Sequence, residues 1–194
     1  MLDEIRQTLR ESAELKLKAA EQMAEPVAAA AQMLVECLLD GGTVAFCGNG
    51  GSAADAQHLS GELVGRFRKE RPAYRALALT TDTSILTAIG NDYGFDQVFS
   101  RQVEGLLREG DVLVAFSTSG NAKDCARAVE QAKALGAKTL GFTGEDGGEL
   151  GRLCDLCLKV PCTVTARIQE VHITLGHILC GLVEDELVAR GSAR

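Results

Sequence analysis

Two rhythms of apolar residues run through the chain. From residue 2 to about residue 40, Leu2, Ile5, Leu9, Ala13, Leu17 and Ala20 recur every three or four positions beside charged neighbours. That spacing predicts amphipathic helix. Pro26 suits the first turn of a second helix, which would end at Asp40-Gly41-Gly42 with glycine as its C-cap. The stripe must be buried somewhere, either on its own domain or against another subunit, and the pattern leaves both open. Beyond residue 42 the rhythm changes. Short apolar runs (43–47, 75–79, 111–116, 138–142 and 156–160) read as strands. Between them lie helical patterns at 52–66, one opened by Thr80-Thr81-Asp82-Thr83-Ser84 and running to about Gly90, others at 95–108 and 122–135, and a long helix from about Val164 to Ala189 closes the chain. Repeated strand–turn–helix units predict a five-stranded parallel sheet with helices on both faces. No linker or internal repeat marks a second folding unit. The expected division is residues 1–42, helices belonging to the same domain and making oligomer contacts, followed by 43–194.

Ligands in such a fold bind beyond the carboxyl ends of the strands, and there the sequence becomes unusual. Strand 43–47 runs into Cys47-Gly48-Asn49-Gly50-Gly51-Ser52-Ala53-Ala54-Asp55-Ala56-Gln57-His58. A strand, a glycine turn and a helix start aim several backbone N–H groups at one point, which favours a phosphate. Ser52 adds a first-turn hydroxyl. Gly48-x-Gly50-x-x-Ala53 resembles a dinucleotide fingerprint only superficially: the expected acidic residue after the second strand is displaced to Asp82, and there is no P-loop lysine. At the next switch from strand to helix, Ser117-Thr118-Ser119-Gly120-Asn121 clusters three hydroxyls. Helix capping needs only one of them, so a second phosphate-binding turn is the preferred reading.

His58 and Glu62 are four positions apart and share a helical face. They can be an exposed pair of no consequence, two metal ligands, or an acid–base pair. The last helix adds Gln169, His172 and His177. Gln169 and His177 are ~12 Å apart along a helix axis, a long reach for one metal unless the helix bends or separate subunits contribute. His172 reads as a packing or hydrogen-bonding residue. Cys154-x-x-Cys157 has metal-ligand spacing without a second pair; in a strand the two side chains would point to opposite faces, so structural thiols are the better reading. The basic run from Arg66 to Arg75 reads as a solvated loop that steers anions.

Bulk composition narrows the function. With 20 basic and 27 acidic side chains the net charge is −7, which argues against a nucleic-acid partner. No apolar run is long enough to span a bilayer, and the N-terminus lacks the apolar core of a signal peptide. Seven cysteines without a framework read as reduced thiols in the cytoplasm.

The motifs at 47–58, Gly90-Asn91-Asp92, 117–121 and Arg167-Ile168-Gln169-Glu170-Val171-His172 together resemble the sugar isomerase (SIS) domain family, specifically its phosphoheptose isomerases, from the N-terminal helices to the last one. The resemblance implies a flavodoxin-like three-layer sandwich and a homotetramer with active sites between subunits. It also implies one zinc ion per subunit, held by His58, Glu62, Gln169 and His177. Substrate contacts would be Asn49, Gly50, Gly51, Ser52, Glu62, Asn91, Asp92, Ser117, Thr118, Ser119 and Gln169, with Glu62 and His177 catalytic. The implied reaction interconverts sedoheptulose 7-phosphate and D-glycero-D-manno-heptose 7-phosphate, the first step towards ADP-heptose and the lipopolysaccharide core. Ala122 departs from the family, which usually has serine there, and removes one substrate hydroxyl contact. An alternative is a non-catalytic SIS protein that binds the DnaA replication initiator. Glu62 and His177, which that relative does not retain, favour the enzyme.

Overall fold

Five parallel strands, β1 (Val44–Gly48), β2 (Ala76–Ala78), β3 (Val112–Phe116), β4 (Lys138–Thr143) and β5 (Leu156–Lys159), form one sheet in the order β2-β1-β3-β4-β5. This is the doubly wound flavodoxin order, in which the topological switch lies between β1 and β3. The computed structural model describes residues 1–191. In register, Val44 stands opposite Ala76 on one side and Val112 on the other.

Alternate strand residues point to opposite faces, and each face has its own apolar cluster. Val44, Phe46, Val112, Val114, Phe116, Leu140 and Phe142 pack beneath α1 (Leu2–Leu39), α2 (Gly51–Val64) and α7 (Thr165–Ala189). Ala45, Cys47, Leu113 and Ala115 pack beneath α4 (Ser100–Leu106) and α5 (Lys123–Ala134), with α6 (Leu150–Leu153) supplying Leu150 and α3 (Thr83–Asp92) lying at the margin. The result is three layers: helices, sheet, helices. Burying each large apolar side chain contributes roughly 1.5–3 kcal/mol, so the central strands, buried along their length, anchor both layers.

Three expectations need correction. Residues 2–39 form one helix, not two, with Pro26 inside it. An interior proline costs about 3 kcal/mol in a helix, but Met23, Val27, Ala30 and Leu34 continue the buried stripe straight across it. Continuous packing offsets the lost hydrogen bond. The expected helix at 95–108 is split into a 3-10 turn at Phe95–Gln97 and α4. The sulfurs of Cys154 and Cys157 do not point to opposite faces, because Cys154 precedes β5; both approach the α-carbon side of Gly141. All seven cysteines are free, as the sequence suggested.

The N-terminal half of α1 answers the question its stripe raised. Leu2, Ile5, Leu9 and Leu17 remain between 51% and 70% exposed, so the protomer does not bury them. Among the described residues no helix is long and apolar enough to cross a membrane.

Candidate active site

The two turns at the switch point lie at the carboxyl ends of adjacent strands. Gly50 takes φ +57 as the N-cap of α2, a left-handed conformation that a side chain would strain. Ser52, in the first turn of α2, is buried. In the second turn, the hydroxyl of Ser117 accepts from the Ala122 N–H at 3.4 Å, and that of Ser119 accepts from the Asn121 N–H at 3.2 Å. Two of the three hydroxyls therefore cap the approach to α5, and Thr118 takes part in neither contact. The turns are tied together by Asn49, whose Nδ2 donates to buried Asp124 at 2.8 Å. A carboxylate can only accept, so this contact fixes which way the Asn49 amide faces.

Three of the four expected metal ligands converge within the chain. His177 Nε2 lies 2.9 Å from His58 Nε2, which lies 3.1 Å from Glu62 Oε1. The ligand atoms of the three residues all lie within 4.8 Å of one another, a grouping able to hold a metal ion. Two imidazoles and a carboxylate match the three-ligand sets of catalytic zinc sites, which keep one position open. Parallel packing of α2 and α7 brings them together. Gly176 permits this approach: a Cβ there would lie 2.5 Å from Leu59 Cδ1, so a side chain would displace either Leu59 or the helices that carry His58 and His177.

Gln169 sits towards the other end of α2 from Glu62: its amide lies over Gly51, 2.7 Å from where a Cβ would stand. It belongs with the glycine cradle, where a substrate contact is feasible without help from another chain. Asn91 and Asp92 end α3 as exposed residues, joined by a hydrogen bond of 2.8 Å from Asn91 Nδ2 to Asp92.

His172 is fully buried, as its packing role required. Its Nε2 meets the Thr143 carbonyl at 3.1 Å, and its ring packs edge-on against Phe142. Burial pulls its pKa down to about 4, although the bond to Thr143 opposes the shift. Asp55, one turn before His58, is pushed up to about 6 by burial, against the pull of His58. The basic run is exposed at Arg66, Arg68, Lys69 and Arg75, as expected of a solvated loop, but Arg71 departs from it, buried in an ion pair with Glu184 at 3.2 Å. Three further residues escaped the sequence reading: Gly176, Phe67, whose ring stacks on His177 with centroids 5.8 Å apart, and Glu184. Glu184 left one trace. It is an acid seven positions after His177, and so on the same face, between the apolar residues Val183 and Leu187.

The chain is similar to known proteins over nearly its whole length. Residues 9–144 match the SIS domain family. The phosphoheptose isomerase of Rhodospirillum rubrum is 53% identical over 187 residues, 96% of this chain and 99% of that protein. That of Aquifex aeolicus is 51% identical over 190 residues, 98% of this chain and all of the relative. Among solved structures, the phosphoheptose isomerase of Neisseria gonorrhoeae superposes with a TM-score of 0.90 at 46% identity, covering 95% of this chain and 100% of that one. That of Francisella tularensis gives 0.92 at 40% identity, covering 95% and 98%.

Proposed function

The chain belongs to the phosphoheptose isomerases of the SIS-domain family, and on that premise we propose that Glu62 and His177 are its reacting pair. The activity is aldose–ketose isomerisation of a heptose 7-phosphate, interconverting sedoheptulose 7-phosphate and D-glycero-D-manno-heptose 7-phosphate for lipopolysaccharide heptose synthesis. The observation that carries the residue assignment is the convergence of His58, Glu62 and His177, two of them on the helix that the glycine cradle opens. The initiator-binding alternative lacks support, since the two residues that argue for an enzyme meet in space.

The phosphate is held by the N–H groups at the start of α2 and by the 117–121 turn, with Thr118 the hydroxyl free of capping duty. Asn49, its NH₂ group held by Asp124, offers its carbonyl oxygen as an acceptor for a sugar hydroxyl, and Gln169 supplies a further polar contact. Glu62 turns Oε1 towards His58, which leaves Oε2 for the substrate. Glu62 takes the C1 proton of the ketose, and the C–H electron pair becomes the C1–C2 double bond as the C2 oxygen gains a proton from His177. Reversal at the neighbouring carbon completes the step: the O1 proton leaves to His177, C1 becomes the aldehyde, and Glu62 returns its proton to C2. Groups of this kind contribute ~10²–10⁴-fold each. A zinc ion held by His58, Glu62 and His177 would polarise the carbonyl oxygen.

We read the assembly as a homotetramer. The unburied stripe of α1 and an open apolar groove of about 460 Å³ between α1 and α7 are surfaces a second copy would cover. Asn91 and Asp92, remote in sequence and exposed, would then enter a neighbouring site. A cytoplasmic location fits the seven free thiols.

The test is turnover of sedoheptulose 7-phosphate by purified protein, before and after chelation and zinc restoration. Turnover lost with the chelator and recovered with zinc is expected. Turnover indifferent to the chelator removes the metal from the reaction. No turnover by folded protein overturns the assignment of the reacting pair.

A further inference from the structure

We propose that the buried Arg71–Glu184 pair and Phe67 form a positioning device that fixes the orientation of His177 and the C-terminal end of the helix carrying Glu62. The inference rests on the reading of Glu62 and His177 as the reacting pair.

Both side chains of the ion pair are 1% exposed. A buried pair of this kind adds little net stability, because desolvating two charges cancels most of their attraction. What it supplies here is geometry. Glu184 Oε1 accepts from the N–H groups of Arg68 at 2.7 Å and Lys69 at 2.6 Å. Its Oε2 accepts from the N–H of Phe67 at 2.9 Å and from Arg71 Nε at 3.2 Å. Four donors on two oxygens leave the 67–69 backbone no freedom to drift from α7. Burial alone would raise the carboxyl pKa of Glu184, but the backbone donors and Arg71 outweigh it and hold the group below its ordinary value.

Arg71 completes the other half. One guanidinium nitrogen donates to the carbonyls of Leu63, Gly65 and Pro72 at 2.8, 3.1 and 3.0 Å. The other donates to the carbonyl of Glu62 itself at 2.9 Å. These include the last carbonyls of α2, which have no partner within the helix, so the helix end that carries Glu62 is tied to the ion pair. The guanidinium also lies over the Tyr74 ring, 3.8 Å from its centroid. On the far side of the loop, the Phe67 ring stacks on His177 with planes 25° apart. One buried pair therefore touches the chain on both sides of the reacting centre. His177 is open to solvent on its other flank, where a hollow is lined by Arg68, Thr174 and Gly181, so Phe67 is the wall that limits rotation of the imidazole.

The test uses Phe67→Leu, Phe67→Tyr and Glu184→Gln, read by steady-state kinetics and by NMR of selectively labelled histidine. The chain has three histidines, and loss of one signal in His177→Gln identifies that of His177. In Phe67→Leu the His177 ring signals should move downfield as the ring current is lost. With KM nearly unchanged, kcat should fall at least about tenfold, the scale of a small misplacement of a reacting group. Phe67→Tyr should restore both. Glu184→Gln should shift the same His177 signals and lower kcat; if it fails to fold, the Phe67 variants carry the test. The proposal is overturned if Phe67→Leu leaves the signals or kcat unchanged, if it raises KM alone, or if Phe67→Tyr fails to rescue. The histidine spectrum reads the positioning even in a protein without turnover, so failure of the proposed reaction remains distinguishable from failure of this device.

Discussion

His172 and His177 sit five residues apart on one helix and do opposite work. His172 turns from α7 towards the sheet, against Phe116, Phe142 and the Thr143 carbonyl. With Nε2 against a carbonyl oxygen, it must be the donor, and Nδ1 is left bare and unpartnered. His177 faces sideways, where α2 brings His58 and Glu62 to it and Phe67 covers its ring. The side chain is the same; five residues on a helix turn it about 140° around the axis. One position buries the imidazole as a neutral core group. The other leaves it able to bind a metal or exchange a proton.

The comparison breaks most visibly through activity. Replacing Glu62 by Gln keeps the shape and removes the base, so kcat should fall by ~10²–10⁴-fold while thermal unfolding is unchanged. Full turnover in that variant would refute the assignment. His177→Gln should lower kcat by about 10²-fold and weaken zinc binding measured by competition with a chromophoric chelator. His172→Leu should reverse the pattern: activity per folded molecule is retained, and denaturant unfolding shows a loss of about 0.5–1.5 kcal/mol from the missing hydrogen bond, since the Thr143 carbonyl keeps its bond from the Val160 N–H. If His172→Leu abolished turnover in a stable protein, the division between the two histidines would be wrong.

A subtler test uses pH. The ordinary pKa of 6.5 for His172 is lowered to about 4 in the fold. The unfolded chain therefore binds a proton at a pH where the folded one does not, and protonation favours unfolding. The contribution of His172 to stability is intact above pH 6.5 and is lost progressively as pH falls towards 4, on the order of 3 kcal/mol in all. Asp55 has the opposite sign: its raised pKa makes ionisation a cost that appears as pH rises from 3.8 towards 6. Urea unfolding at pH 7.0, 6.0 and 5.0 should show a decline in wild type that is shallower in His172→Leu. An equal decline in both proteins would assign the effect elsewhere. The smallest perturbation is Gly176→Ala. One methyl group should separate α2 from α7 and reduce turnover several-fold, on the scale of a sub-ångström misplacement, and an unaffected enzyme would show that the helices adapt.

Much of this was legible in the chain. Alternating strand and helix patterns, with glycine and serine turns after the first and third strands, dictated a parallel sheet and the location of its ligand turns, because those features depend on local periodicity and backbone sterics. His58 and Glu62 were readable as one face for the same reason. Tertiary packing decided the rest. His58 and His177 are 119 residues apart, and no local rule brings them to 2.9 Å; a glycine facing a leucine does. Pro26 reads as a helix start until α7 is seen to hold the helix through it. Arg71 reads as a solvated charge until Glu184 is found beside it, because a long-range ion pair leaves no periodic trace in sequence. Local pattern determined where the chain turns and what the turns can bind. Helix-on-helix packing decided which side chains meet there, because that outcome depends on contacts between distant segments.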